Sequence, residues 1–230
     1  MTLPIILLLV LAIATAILFS ILRVTHGGMV SLMTKTLASF CFVLLGVVVV
    51  FEYPLGKIGM FVILGLICGM IGDILLDLKS VDHSREDAYL NFGMLAFGIG
   101  HVFYVLFMSF LSGKNVLVEA LIAGAFAIVF TLAVVFFSKQ LLGLKLGKFV
   151  IQAGGYACML SFAAAFAVAL AFTLSFLWPL AIALVAFWLS DIVLSIMYFG
   201  GKSENKFLSI LNHVLYYGAQ IAIALFVVTL

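Results

Sequence analysis

Charge is what this chain has least of. Of its 230 residues only 9% are Asp, Glu, Lys or Arg, while 67% are hydrophobic. A soluble domain carries roughly 25% charged and about 45–50% apolar residues. So little charge cannot cover a water-facing surface, which excludes a soluble globular domain and makes lipid the solvent for most of the exterior. A basic patch is missing too: the net charge is +2 and the Lys and Arg residues never cluster, so nucleic acid is excluded as a partner. Cysteine is scarce and scattered. Cys41, Cys68 and Cys158 are odd in number, lie in apolar stretches and form no CxxC, and read as small buried hydrophobes rather than a disulfide frame or metal site. Also lacking are a GxSxG elbow, a Walker loop and a GxGxxG following a strand, and with them the chemistries those motifs support. No cofactor is implied.

What is present is a series of long apolar runs. A membrane-spanning helix needs about 20 such residues. The runs are broken at "RVTHGG", "EYPLGK", "DLKSVDHSRED", "SGKN", "SKQLLGLKLGK", a short hinge near Thr173–Ser175, and "GGKSENK". These breaks predict eight spans, at about 3–22, 30–51, 58–76, 88–110, 115–137, 149–172, 176–198 and 207–229. The fold class expected is an all-α membrane protein, a bundle of about eight transmembrane helices forming one polytopic domain over 1–230. The first basic residue, Arg23, follows the first apolar run instead of preceding it. A cleaved signal peptide has the opposite order, so that run is expected to stay as the first span.

Lys and Arg mark the cytoplasmic loops of membrane proteins. The odd-numbered loops hold Arg23, Lys79, Arg85, Lys139, Lys145, Lys148, Lys202 and Lys206, the even-numbered ones only Lys57 and Lys114. Both termini are therefore expected on the non-cytoplasmic side. With a rise of about 1.5 Å per residue, Asp73 lies roughly 5 Å, and Asp191 roughly 10 Å, inside the cytoplasmic ends of their spans. Lys35 sits just inside the start of span two, and His101 and Gln220 lie roughly 20 Å deep. Asn91, Asn212 and His213 are shallower on those same two helices. This one-sided gathering predicts a pocket between helices that opens towards the cytoplasmic leaflet.

An ionised carboxylate in hydrocarbon costs at least about 2.5–3.5 kcal/mol, and intramembrane ionisable groups are functional candidates by default. Asp73 and Asp191 are the leading pair. Two carboxyl groups in one low-dielectric site give an acid and a carboxylate, as general acid–base hydrolysis requires. The alternative is that each is held in a buried ion pair with a cation such as Lys35. Phe97, His101 and Tyr104 share one stripe of span four at i, i+4, i+7, and His213, Tyr217 and Gln220 share one of span eight. Each stripe could line a site or bridge helices, and Asn212 reads as a bridge. Gly93, Gly98 and Gly100 are expected to let a neighbouring helix approach. Asp77, Asp82, Glu86 and Asp87 read as a solvated turn, and Glu52 and Glu119 as solvated span edges. A metal held by His101, His213, Asp73 and Asp191 is chemically allowed, but no local ligand spacing supports one.

The order "TKTL" (34–37), "GDILL" (72–76), "NFGMLAFGIGHVFY" (91–104), "SD" (190–191) and "YYGAQ" (216–220) resembles the YhhN/TMEM86 family of membrane lysoplasmalogenases. The resemblance spans most of the chain and implies an eight-helix enzyme of the bacterial inner membrane or the endoplasmic reticulum. It points to Lys35, Asp73, Phe92, Gly93, Phe97, His101, Tyr104, Asp191, Tyr217 and Gln220, with Tyr156 on span six a further correspondence. Thr36 stands where the family commonly has proline, implying a straighter start to span two. The implied substrate is a lysophospholipid with an alkenyl chain, drawn from membrane lipid, whose vinyl ether bond is hydrolysed on the cytoplasmic side. Asp73 and Asp191 would be catalytic. Lys35, Phe97, His101, Tyr104, Tyr156, Tyr217 and Gln220 would bind substrate; Asn91 and His213 are not among the residues the resemblance points to and are expected to join them only from their places on spans four and eight. A small proton-coupled transporter or a non-catalytic lysolipid-binding protein would also carry buried carboxylates.

Overall fold

The computed structural model describes residues 1–230. Eight α-helices follow one another: α1 (Leu3–Thr25), α2 (Gly28–Glu52), α3 (Gly59–Leu78), α4 (Glu86–Ser112), α5 (Leu117–Leu142), α6 (Val150–Thr173), α7 (Trp178–Phe199) and α8 (Lys206–Phe226), with no strand. All eight are long and apolar enough to cross a membrane. Such a chain is an integral membrane protein, because each helix satisfies its own backbone hydrogen bonds where lipid supplies none.

Punctuation in the sequence explains the boundaries. Gly27 and Gly28 both take positive φ, 66° and 53°, which lets α1 turn directly into α2. The hinge expected near Thr173–Ser175 is real: α6 stops at Thr173, one short 3-10 turn follows, and Pro179 sits in the first turn of α7. Helix α5 runs on to Leu142, beyond the predicted 137. Nothing before Gly143 breaks it, and that glycine closes the helix in the left-handed conformation at φ 69°. Thr36 lies inside an unbroken α2, with its hydroxyl donating to the Leu32 carbonyl at 2.8 Å.

The chain divides into two compact units, residues 1–107 with 220–230, and residues 108–219. In the first unit α1 packs on α2 and α2 on α3, around Phe42, Leu45, Leu66, Phe107 and Phe226, all buried. Helices α3 and α4 approach through glycine. A Cβ on Gly65 would lie 2.2 Å from the Tyr104 ring, and one on Gly72 would lie 2.6 Å from that of Phe97. A Cβ on Gly100 would lie 3.1 Å from the Gly65 carbonyl, and one on Gly93 would lie 2.8 Å from the Leu76 side chain. The close approach expected of Gly93 and Gly100 is therefore an α3–α4 contact, and α3 supplies its own glycines to receive the aromatic rings of α4. In the second unit α5 packs on α6 and α6 on α7, around Leu160, Phe166, Leu170, Leu184 and Phe187. The exterior is apolar. Phe51, Leu141, Ile151 and Phe172 are among many large side chains left exposed, as expected when lipid is the solvent.

Candidate functional site

Two polar stripes meet where α2 begins and α3 ends. Ser31, Lys35 and Ser39 recur every fourth residue along α2, and Asp73 and Asp77 are four apart on α3. That spacing stacks each set on one helical face, and the antiparallel packing brings the faces together in register. Ser31 Oγ donates to Asp77 Oδ2 at 2.9 Å, and Ser39 Oγ donates to Asp73 Oδ2 at 2.5 Å. Between them Lys35 Nζ reaches both carboxylates, 3.2 Å from Asp73 Oδ1 and 3.5 Å from Asp77 Oδ1. The last turn of α1 adds Arg23. Its guanidinium donates to Ser31 Oγ at 2.9 Å and lies 3.3 Å from Asp77 Oδ2. Both Asp side chains are only 2% exposed, against 13% for Lys35 and 25% for Arg23. The cations thus reach in from the helix ends to two fully buried carboxylates, and the formal charges cancel.

Asp77 corrects the expectation of a solvated turn. It belongs to the last turn of α3 and is as deeply buried as Asp73. Two residues on, Lys79 lies 3.9 Å from Glu86. Burial is the largest influence on its amine and pulls it from an ordinary value near 10.5 down to about 8, with the Glu86 carboxylate opposing that fall. Asp82 does lie in the turn as expected. It accepts from the Ser84 hydroxyl and the Tyr89 phenol, which hold its carboxyl below the ordinary range.

Further along the first unit, Phe97, His101 and Tyr104 are all buried, so their stripe faces inwards. His101 Nδ1–H donates to the Phe97 carbonyl at 2.9 Å, and its ring meets Tyr104 edge-on at 5.7 Å. The Tyr104 hydroxyl donates to Gln220 Oε1 at 3.1 Å, joining the stripe of α4 to the last part of α8. Asn91 is half-buried, and its Oδ1 accepts no hydrogen bond. Phe92 is 58% exposed.

In the second unit the Tyr156 phenol of α6 donates to Asp191 Oδ2 of α7. The preceding residue is pinned from α8: Asn212 Nδ2 donates to the Ser190 carbonyl at 2.8 Å, so Asn212 is a bridge, as expected. His213 and Tyr217 are buried on α8, and Tyr217 packs edge-on against Tyr216 at 5.1 Å. Glu119, expected at a solvated edge, is buried, and Lys114 Nζ ties it to Thr173 through contacts of 2.5 and 2.8 Å.

A model of the YhhN family matches residues 30–227. The chain belongs to the YhhN family. No curated protein and no solved structure matches it. The YhhN match takes in Lys35, Asp73, Asp77, His101, Tyr104, Tyr156, Asp191 and Gln220, and begins after α1. Arg23 therefore reaches the buried carboxylate of Asp77 from outside the YhhN region. Sequence reading passed over Ser31, Ser39, Asp77 and Arg23. The signal that finds the first three is the matched four-residue spacing on α2 and α3. Nothing local marks Arg23, because it depends on how α1 folds back.

Proposed function

We propose that this protein is a lysoplasmalogenase-like membrane hydrolase, cleaving the vinyl ether bond of a lysoplasmalogen to a fatty aldehyde and a glycerophospho-alcohol. The observation that carries the reading is a carboxyl group, Asp73, buried among apolar helices and held by Lys35 and Ser39 in a chain of the YhhN family. Vinyl ethers hydrolyse when an acid protonates the alkene carbon remote from oxygen. The oxocarbenium ion that results is captured by water, and the hemiacetal collapses with loss of the alcohol. The chemistry needs one carboxylic acid and one carboxylate, the logic that glycosidases use for a related cation.

Asp73 and Asp191 are the carboxyl groups proposed for these two roles, on the strength of the family's sequence pattern. Lys35 steadies the charge on Asp73, and the Tyr156 phenol orients Asp191. His101, Tyr104, Asn91, His213, Tyr217 and Gln220 direct water and substrate, and Phe97 with the apolar helix walls holds the alkenyl chain. The reaction opens to the cytoplasmic side. The test is aldehyde release by detergent-purified protein from alkenyl, acyl and alkyl lysolipids. The alkenyl substrate is expected to be turned over and the saturated alkyl ether to be inert, with Asp73→Asn and Asp191→Asn each losing at least about 100-fold, the size of a general acid–base contribution. Near-wild-type turnover in both variants removes the mechanism.

A further inference from the structure

Lys35 is shared. Had it served Asp73 alone, no second carboxylate would be needed, yet Asp77 stands 3.5 Å from the same Nζ and is as buried as Asp73. Asp77 is itself fixed by two groups on its far side, the Ser31 hydroxyl at 2.9 Å and the Arg23 guanidinium at 3.3 Å. The result is an alternating row of charges, Arg23, Asp77, Lys35, Asp73. We infer that Asp77 and Arg23 are positioning residues that hold Lys35 midway between two carboxylates and so set the charge felt by Asp73. This inference rests on the proposed role of Asp73 as a reacting group, and it adds a residue, Arg23, from the helix that precedes the family region.

The groups facing Asp73 define what must change. Helix α2 contributes Lys35 and Ser39, α3 contributes Asp77 on the same face, and α1 contributes Arg23 at one remove, through its contact with Asp77. Just past α3 lies Lys79, paired with Glu86 of α4. His101 of α4 is buried with its Nδ1–H on the Phe97 carbonyl. Removing the charge of Asp77 takes one carboxylate away from Lys35, which strengthens the hold of that cation on Asp73 and favours its carboxylate. Removing the charge of Arg23 leaves Lys35 to two carboxylates, which favours protonation of Asp73. The two substitutions act in opposite directions although each deletes one partner of the same contact. A purely structural role gives no such sign reversal.

The experiment is infrared titration of isotope-labelled aspartate in the purified full-length protein, with Asp73→Asn identifying the Asp73 band. In Asp77→Asn the Asp73 carboxylate is expected to persist to a pH lower than in wild type by about one unit, and in Arg23→Gln to be lost at a higher pH by about half a unit or more. Arg23→Lys, which keeps the charge, should titrate like wild type. In the turnover assay the limb of the pH–rate profile governed by Asp73 should move with the band. Should Asp77→Asn fail to fold, Arg23→Gln carries the test alone, its side chain being a quarter exposed. Titration within about 0.2 unit of wild type in Arg23→Gln, or shifts of the same sign in both variants, overturns the inference. Opposite shifts without vinyl ether turnover by the wild type would leave the positioning role standing and remove the hydrolase reading.

Discussion

Lys35 carries more of the local electrostatics than any other side chain, because two carboxylates that are 2% exposed share its one charge. A buried ion pair is weak support for stability, since desolvation offsets attraction, yet deleting one partner costs about 3–5 kcal/mol by leaving charge uncompensated. Lys35→Met is therefore expected to lower the melting temperature in detergent sharply. Adding Asp77→Asn to it should recover part of the loss, because one uncompensated carboxylate is then gone. Lys79 shows the opposite logic. Its amine titrates at about 8 in the folded protein, against an ordinary value near 10.5, so between those values the unfolded chain binds more protons than the folded one. Stability from this group then rises with pH. Relative to Lys79→Gln, the wild type should gain about 1–3 kcal/mol between pH 8 and pH 10.5, read as a difference in unfolding midpoints.

At the scale of elements, glycine on α3 decides how closely α4 can pack. Gly65 and Gly72 leave the space that Tyr104 and Phe97 occupy, and those rings set the inward stripe that carries His101. Gly72→Ala places a methyl against an aromatic ring that has nowhere to go, an overpacking cost of about 1–3 kcal/mol. Gly155 on α6 has nothing within 4 Å of an added Cβ, so Gly155→Ala should stay within about 0.5 kcal/mol of wild type or gain slightly from helix propensity. Thermal unfolding of the two variants side by side checks the contrast. Equal effects would mean that the α3–α4 approach is not the tight contact described. The α2 and α3 faces obey the same principle of register: a one-residue slip of either helix would rotate its polar stripe by about 100° and part Lys35 from both carboxylates.

For the whole molecule, the Lys and Arg bias of the loops leads us to propose that both termini lie on the non-cytoplasmic side. Alkaline phosphatase fused after Leu230 in a bacterial host is expected to be active, and fused within the turn after α3, near Ser84, to be inactive. The reverse pattern would put the Lys35–Asp73 network on the other side of the membrane and overturn the proposed cytoplasmic access.

The sequence by itself determined the membrane class, the eight helices and nearly all their ends, because apolar length and Gly, Pro and charged punctuation act locally. It also marked Lys35, Asp73 and the two aromatic stripes, since a polar group in an apolar run stands out against its neighbours. It misplaced Asp77, whose surroundings in the chain look like a solvated turn, and Glu119, which a Lys five residues away and a Thr on another helix draw in. Only the tertiary structure decided that Lys35 answers two carboxylates, that Arg23 joins them from α1, and that Tyr156 belongs with Asp191. Those partners are tens of residues apart in the chain, and their pairing follows from which helix faces pack together, a property no single stretch of sequence contains.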